Sequence, residues 1–261
     1  MRRALLLCAI VACPAAARDI AIPFAPPLDQ PLVYRIEQHR PVADRTRRFS
    51  AVRDLRFAQA GEGYVLDVTL RAIDSDAPAP GADPYRAALE PLIGIPMRFR
   101  VDARGKIVAL DEMEGVWSRV TAGVDAMLAA FPPDSERHRA ALRVKALFAG
   151  LPSEGRLALL AGEVQPLFLF SGSQVTDGAG KGVRTVAGSP LGRPVAVEGT
   201  LLVKGEAAQA VDLEEQLAGE GVQVTMRYHV SRRTGLVETQ ERSLAVHSQA
   251  LTERRSLTLG N

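Results

Sequence analysis

Cysteine is almost missing from this chain. Of 261 residues only Cys8 and Cys13 carry a thiol, and both lie near the N-terminus. Removal of that segment as a leader would exclude disulfides, thiolate metal sites and cysteine nucleophiles from the rest. Aromatic residues are scarce as well, at 5% with a single Trp, so a core has to be built mostly from Leu, Val and Ala. Only four lysines occur, Lys106, Lys145, Lys181 and Lys204. The other basic residues are arginines, which reads as coding bias and not as phosphate recognition. Net charge is small: 32 basic residues stand against 30 acidic ones, and loss of Arg2 and Arg3 with a leader leaves 30 against 30. That balance does not call for nucleic acid. Against these absences, 47% of the residues are apolar, enough for a sizeable core.

The leader itself has the expected parts. Met1-Arg2-Arg3 is a basic start, Ala4 to Ala12 is an apolar stretch too short to span a bilayer, and Ala15-Ala16-Ala17 fits a small-x-small cleavage site. These features predict a secretory signal over residues 1–17, a mature chain beginning at Arg18, and a periplasmic or secreted location. Ile10-Val11-Ala12-Cys13 offers another processing route, in which Cys13 is lipidated and becomes the first mature residue. The segment before it is short for that route.

The stretch from Ile95 to Phe131 organises the remainder. Met97, Phe99 and Val101 alternate with Arg98 and Arg100, the period of a half-buried strand. Asp102 to Gly105 reads as a tight turn and Lys106 to Leu110 as the returning strand. From Met113 the period changes. Met113, Val116, Trp117, Val120, Val124, Met127, Leu128 and Phe131 fall at helical spacing and form one broad apolar stripe. Such a helix needs a large apolar partner, and the sheet is the obvious one.

Elsewhere, residues 18–31 form a Pro-rich, extended lead-in with Pro23, Pro26, Pro27 and Pro31. Strands are expected at Leu32–His39, Phe49–Gln59 and Gly63–Ile73, and a short helix from Asp83-Pro84 to about Pro91. After Pro132-Pro133, helices are expected from Asp134 or Ser135 to Ala149 and from Ser153 to Gly162. Leu167 to Phe170 is continuously apolar and reads as a strand covered on both faces. A meander follows: Pro194–Lys204, Ala207–Ala218, Val222–Arg232, Leu236–His247 and Ala250–Leu259. Strands of about ten residues run roughly 33 Å. The expected fold is α+β: a long-stranded, curved antiparallel sheet, open or half barrel, with a helical insertion at about 112–162 packed on it. Residues 32–261 read as one β-rich domain without internal repeats. A membrane barrel is rejected because β-pattern positions around Glu238, Gln240, Glu241 and Arg242 put charge on both strand faces and aromatic girdles are missing.

No chemical motif stands. Gly178-Ala179-Gly180-Lys181-Gly182 has glycine where a phosphate loop needs Ser or Thr, and a strand follows where a helix should start. The serines of Phe170-Ser171-Gly172-Ser173 lack the flanking glycines of a nucleophile elbow. His229 should face Glu238 or Thr239 across a hairpin, which leaves His247 roughly 30 Å away, so the two cannot share a metal. His39 and His138 stand alone. Asp111, Glu112 and Glu114 at the start of the striped helix suit its dipole, and Asp74, Asp76 and Asp83 match no calcium-loop spacing. No catalytic residue, metal ligand or cofactor is therefore assigned.

Gly94-Ile95-Pro96-Met97-x-Phe99-x-Val101-Asp102-x-x-Gly105, with the helix through Trp117, resembles exported bacterial envelope proteins that carry a strand-rich domain around a hairpin-to-helix unit. The order of elements from Leu32 to Leu259 is also similar to that of the periplasmic lipoprotein carriers, whose half-barrel is closed by helices. That resemblance implies a non-enzymatic envelope protein that binds or carries an apolar ligand: a lipid, an acyl chain or a lipidated partner. In such a protein Met97, Phe99, Met113, Val116, Trp117, Val120, Val124, Met127 and Phe131 would line the ligand site, where methionines repack easily. Two other readings stay open. One is a ligand-free structural or assembly adaptor of the envelope with an envelope protein as partner. The other is a hydrolase whose site is assembled from dispersed residues.

Overall fold

Alternation of apolar and polar side chains drives most of the architecture. The computed structural model describes residues 18–187, 195–246 and 249–260. The expected signal, Cys8, Cys13, Pro194, His247 and Ser248 lie outside the described residues. The chain forms β1 (Asp19–Ile22), β2 (Leu32–Val42), β3 (Arg45–Ala60) and β4 (Gly63–Ser75), then α1 (Ala79–Leu89), β5 (Pro96–Val101) and β6 (Ile107–Leu110). Three helices follow, α2 (Met113–Ala130), α3 (Glu136–Ala149) and α4 (Ser153–Ala161). The last part holds β7 (Ser173–Thr176), β8 (Lys181–Ala187), β9 (Val195–Glu206), β10 (Ala210–Gly219), β11 (Val222–Ser231), β12 (Val237–Val246) and β13 (Gln249–Leu259).

Eleven strands make one long, curved antiparallel sheet, not closed into a barrel, with the four helices packed on it. Its order is β6-β5-β4-β3-β2-β13-β12-β11-β10-β9-β8, so the last strand lies against the first long one. Leu257 faces Tyr34 and Arg255 faces Ile36 across that seam. His229 faces Thr239 within the meander. None of the described helices is long and apolar enough to cross a membrane.

The face covered by the helices, called inner below, carries Leu32, Tyr34 and Ile36 on β2, Leu55 and Phe57 on β3, Leu66, Val68 and Leu70 on β4, and Met97, Phe99 and Val101 on β5, all buried. Val116, Trp117, Leu160 and Ala161 supply the helical side of this core. The opposite face is spanned by cross-strand ion pairs such as Asp67–Arg98, Glu214–Arg227 and Glu241–Arg254.

Several expectations need correction. The lead-in is not merely extended: Asp19–Ile22 pairs with β7 as a separate two-stranded sheet. Phe24 then inserts into the core, with its ring edge-on to Tyr64 at 5.0 Å and Phe168 at 5.8 Å. Gly235, at φ +74°, lets the strap pass, because a Cβ there would overlap the Pro23 carbonyl. Helix α1 begins at Ala79, ahead of the expected Asp83, and keeps Pro84 inside it. Burial of Ala82 against Phe49 and Tyr85 holds that early turn despite the missing N–H of Pro84. Residues Leu167 to Phe170 are not a strand but the end of a 3-10 turn, Gln165–Phe168, and the residues after it. A four-residue apolar run does not distinguish the two, and Pro166 favours the turn. Glu112 precedes α2 in the left-handed region at φ 53°, so Glu114 is the only acid in its first turn. The turn after β9 falls at residues 207–209 and not at Gly205-Glu206, which stay paired with Asp212 and Val211 inside the strand. The caps of α3 and α4 follow the expected residues, including Ser135, whose Oγ accepts the His138 N–H.

Candidate functional site

The nine apolar residues singled out in the sequence separate into three groups. Met97 and Phe99 on β5, with Val120, Val124 and Met127 on α2, line one cavity of about 290 Å³. Leu70, Leu92, Val144, Phe148, Leu160 and Val164 are among the residues that complete its walls. Val116 and Trp117 lie in the solid core beside it, and partly buried Met113 packs against that core. The Trp117 ring meets Phe148 at 5.2 Å, so the single tryptophan touches a cavity wall from behind. Phe131 belongs elsewhere. It lines an open groove of about 890 Å³ between α1 and the C-terminal half of α2, which Met127 also borders.

One end of the 290 Å³ cavity is polar. Arg53 lies on the inner face of β3 opposite Leu70, where the β3–β4 register shifts. Its side chain is 3% exposed. Nη2 forms an ion pair with Glu163 Oε2 at 3.0 Å, whereas Nη1 is buried with no hydrogen-bond partner. Glu163 follows α4 and is 48% exposed, so the carboxylate stands at the rim while the guanidinium lies inside. Beyond the rim the polar row continues across the seam. Arg255 donates through Nη1 to the Glu163 carbonyl at 2.9 Å and through Nε to Glu253 Oε1 at 2.6 Å. Gln38 Nε2 donates to the other Glu253 oxygen. Burial works against the charge of Arg255, but Tyr34, Glu253 and Glu163 outweigh it and raise its pKa. Burial raises the Tyr34 phenol as well.

A second cleft, of about 420 Å³, lies over β9–β13 between the Pro166–Phe170 segment and β8. Val197, Leu217 and Val224 form its apolar floor, and Glu215, Gln240, Arg242, Glu253 and Arg255 its polar side. Tyr228 donates its hydroxyl proton to Glu215 at 3.1 Å. Burial raises the Glu215 carboxyl, with that hydrogen bond pulling the other way. Gln240 Oε1 is buried without a partner.

Most of the remaining polar candidates are occupied by local contacts, whereas His138 Nδ1 is buried without a partner. Ser171 donates to the Gly235 carbonyl at 2.8 Å and Ser173 to the Phe170 carbonyl at 2.6 Å. Asp111 pairs with Arg100, Glu114 with Arg156, and Asp74 with Arg48. His229 contacts Asp212, and His39 lies near Glu37. Among the described residues no group of three or more His, Cys, Asp or Glu side chains is placed to hold a metal.

Arg53 and Glu163 were not singled out in the sequence. A signal for Arg53 existed: it occupies an inward position of β3, in the row of Ala51, Leu55 and Phe57, where an apolar residue is expected. Nothing local marks Glu163, which is 110 positions later and is brought to Arg53 only by the packing of α4. Comparison with known proteins finds no matching family model and no matching curated protein.

Proposed function

We propose that the protein is a non-enzymatic binder or carrier of an apolar ligand in the bacterial envelope, holding part of a lipid, an acyl chain or a lipidated partner between its helices and its sheet. The 290 Å³ cavity carries this reading. Its volume lies at the lower edge of the range of about 300–1,000 Å³ usual for small-molecule sites, and its lining has their character, mostly apolar with few polar groups. A core of this size would ordinarily be filled, because interiors pack like organic crystals. The cavity lies between the sheet and the helices, with α2, α3 and α4 following one another without an intervening strand, an arrangement that can admit a ligand by shifting helices without breaking the sheet.

The direct test is mass spectrometry of organic extracts from protein purified out of its own envelope, where a defined co-purifying lipid is expected. Val124→Trp adds bulk inside the cavity. Loss of fluorescent fatty-acid uptake at near-normal stability is the expected outcome. Unchanged uptake with a stability loss of about 1–3 kcal/mol would favour a filled core and the adaptor reading. The envelope location rests on the leader, and N-terminal sequencing of the exported form should begin at Arg18. A lipid-modified Cys13 would replace that location with a membrane-anchored one.

A further inference from the structure

A guanidinium is an improbable wall for a purely hydrocarbon site. Removing one from water is costly unless its donors are met, and buried polar atoms without partners are rare in folded proteins. Arg53 is buried, lines the apolar cavity, and has one nitrogen, Nη1, with no partner among the described residues. Its single carboxylate partner, Glu163, reaches it from the rim through Nη2 and shares its charge with solvent. The guanidinium fork is therefore half used. An arginine fork is built to take carboxylate oxygens side by side, and ion-assisted bonds of this kind are about twice as strong as neutral ones.

We infer that the cavity takes a single-chain amphiphile whose carboxylate head accepts the hydrogen bond of Arg53 Nη1 while its alkyl chain lies along Phe99, Val120, Val124 and Phe148. This inference rests on the apolar-ligand reading and specifies the ligand's head. A monocarboxylate suits the site better than a phosphate ester: one donor arm is open, and Glu163 already places one negative charge beside it. At about 30 Å³ per water-sized group the cavity holds about ten such groups, the size of a medium-length chain. Beyond the rim, Arg255 donates to the Glu163 carbonyl, so a second positive charge stands behind the residue that closes the polar end.

Decanoate, decanol and decane sulfonamide share one chain and differ in the head. Each is titrated into the delipidated full-length mature protein by calorimetry. Trp117 emission serves as an independent readout, since it is the only tryptophan and its ring lies tilted against Phe148 of the cavity wall. Decanoate is expected to bind at least tenfold more tightly than decanol. Arg53→Met should remove that preference and leave decanol binding within about twofold, and Arg53→Lys, a single point donor, should keep only part of it. The lysine variant and the ligand series on the unmodified protein stand by themselves if the methionine variant fails to fold. Equal binding of decanoate and decanol by the unmodified protein overturns the carboxylate head and leaves the apolar site intact. Retention of the preference in Arg53→Met overturns the role of Arg53. No binding of any of the three removes the inference together with the reading it rests on.

Discussion

The two wings of the sheet use the same strand geometry for different interiors. On β2–β5 the inner row is apolar almost throughout and is covered by helices. On β9–β13 the inner row alternates between an apolar floor, Val197, Leu217 and Val224, and a polar side that includes Glu215, Gln240, Arg242, Glu253 and Arg255. The first wing is held by hydrophobic burial that does not depend on any one contact. The second is held partly by hydrogen-bonded charge such as Arg255–Glu253, where removing one partner leaves the other buried and uncompensated. Arg53 is the exception on the apolar wing, and its partner is a carboxylate still in contact with water. A buried charge can thus be structural on one side of the seam and available on the other.

Substitutions on each wing sharpen that contrast. Phe57→Ala in the apolar wing removes a fully buried ring and should cost about 3–5 kcal/mol, read as a shift in the urea midpoint with little change in slope. Arg255→Leu in the polar wing should cost a comparable amount, about 3–5 kcal/mol, because it leaves Glu253 buried and unpaired. Combining it with Glu253→Leu should recover most of that loss. Failure of the double variant to recover would mean that the charges contribute net stability and are not merely balanced. Val224→Ala, on the floor of the second cleft, should cost only about 1.5 kcal/mol at about 0.8 kcal/mol per methylene-sized group. Arg53→Met should change stability by less than about 1 kcal/mol, since Glu163 remains solvated after the change.

The smallest effect concerns pH. Burial raises the folded pKa of Glu215 above its ordinary value. The folded chain therefore holds that proton more tightly than the unfolded chain. Its contribution is fully present below the unfolded glutamate pKa of about 4.3 and is lost as pH rises through the raised folded value. Glu215→Gln keeps an acceptor for the Tyr228 hydroxyl and removes the titration. Stability of this variant, followed from about pH 4 to about pH 7, should fall less steeply than that of the unmodified protein. Parallel curves would mean that Glu215 is solvated in the folded state.

The strands and hairpins could be read from the sequence because each has a half-buried face, so period-two alternation survives in Tyr64 to Leu70 and Met97 to Val101. Trp117 and Val124 were readable for the same reason at helical spacing. The neighbours across the seam were not, since no local pattern records that Thr252–Leu259 will lie beside Leu32–His39. Residues Leu167 to Phe170 misled because a short apolar run carries no period. The cavity escaped in part because its polar end joins Arg53 of one segment to Glu163 of another, and only the apolar lining leaves a periodic trace. Phe131 continues the helical stripe in sequence, yet it turns to a different groove once α2 ends at Ala130.

The seam also sets an order of events in time. β2 can pair with β3 as soon as the first hairpin is made, but its other edge stays bare until Gln249–Leu259 arrives. Every other pair of neighbours in the C-terminal meander, β9 to β13, is separated by only a few residues along the chain. The join between β2 and β13 is thus the step with the largest loop to close, and it should come late and slowly. Until then the growing chain carries an unpaired eleven-residue strand edge, a surface on which copies can add to one another. A factor that shields nascent strands would protect this chain most during the interval between synthesis of residue 42 and delivery of residue 249.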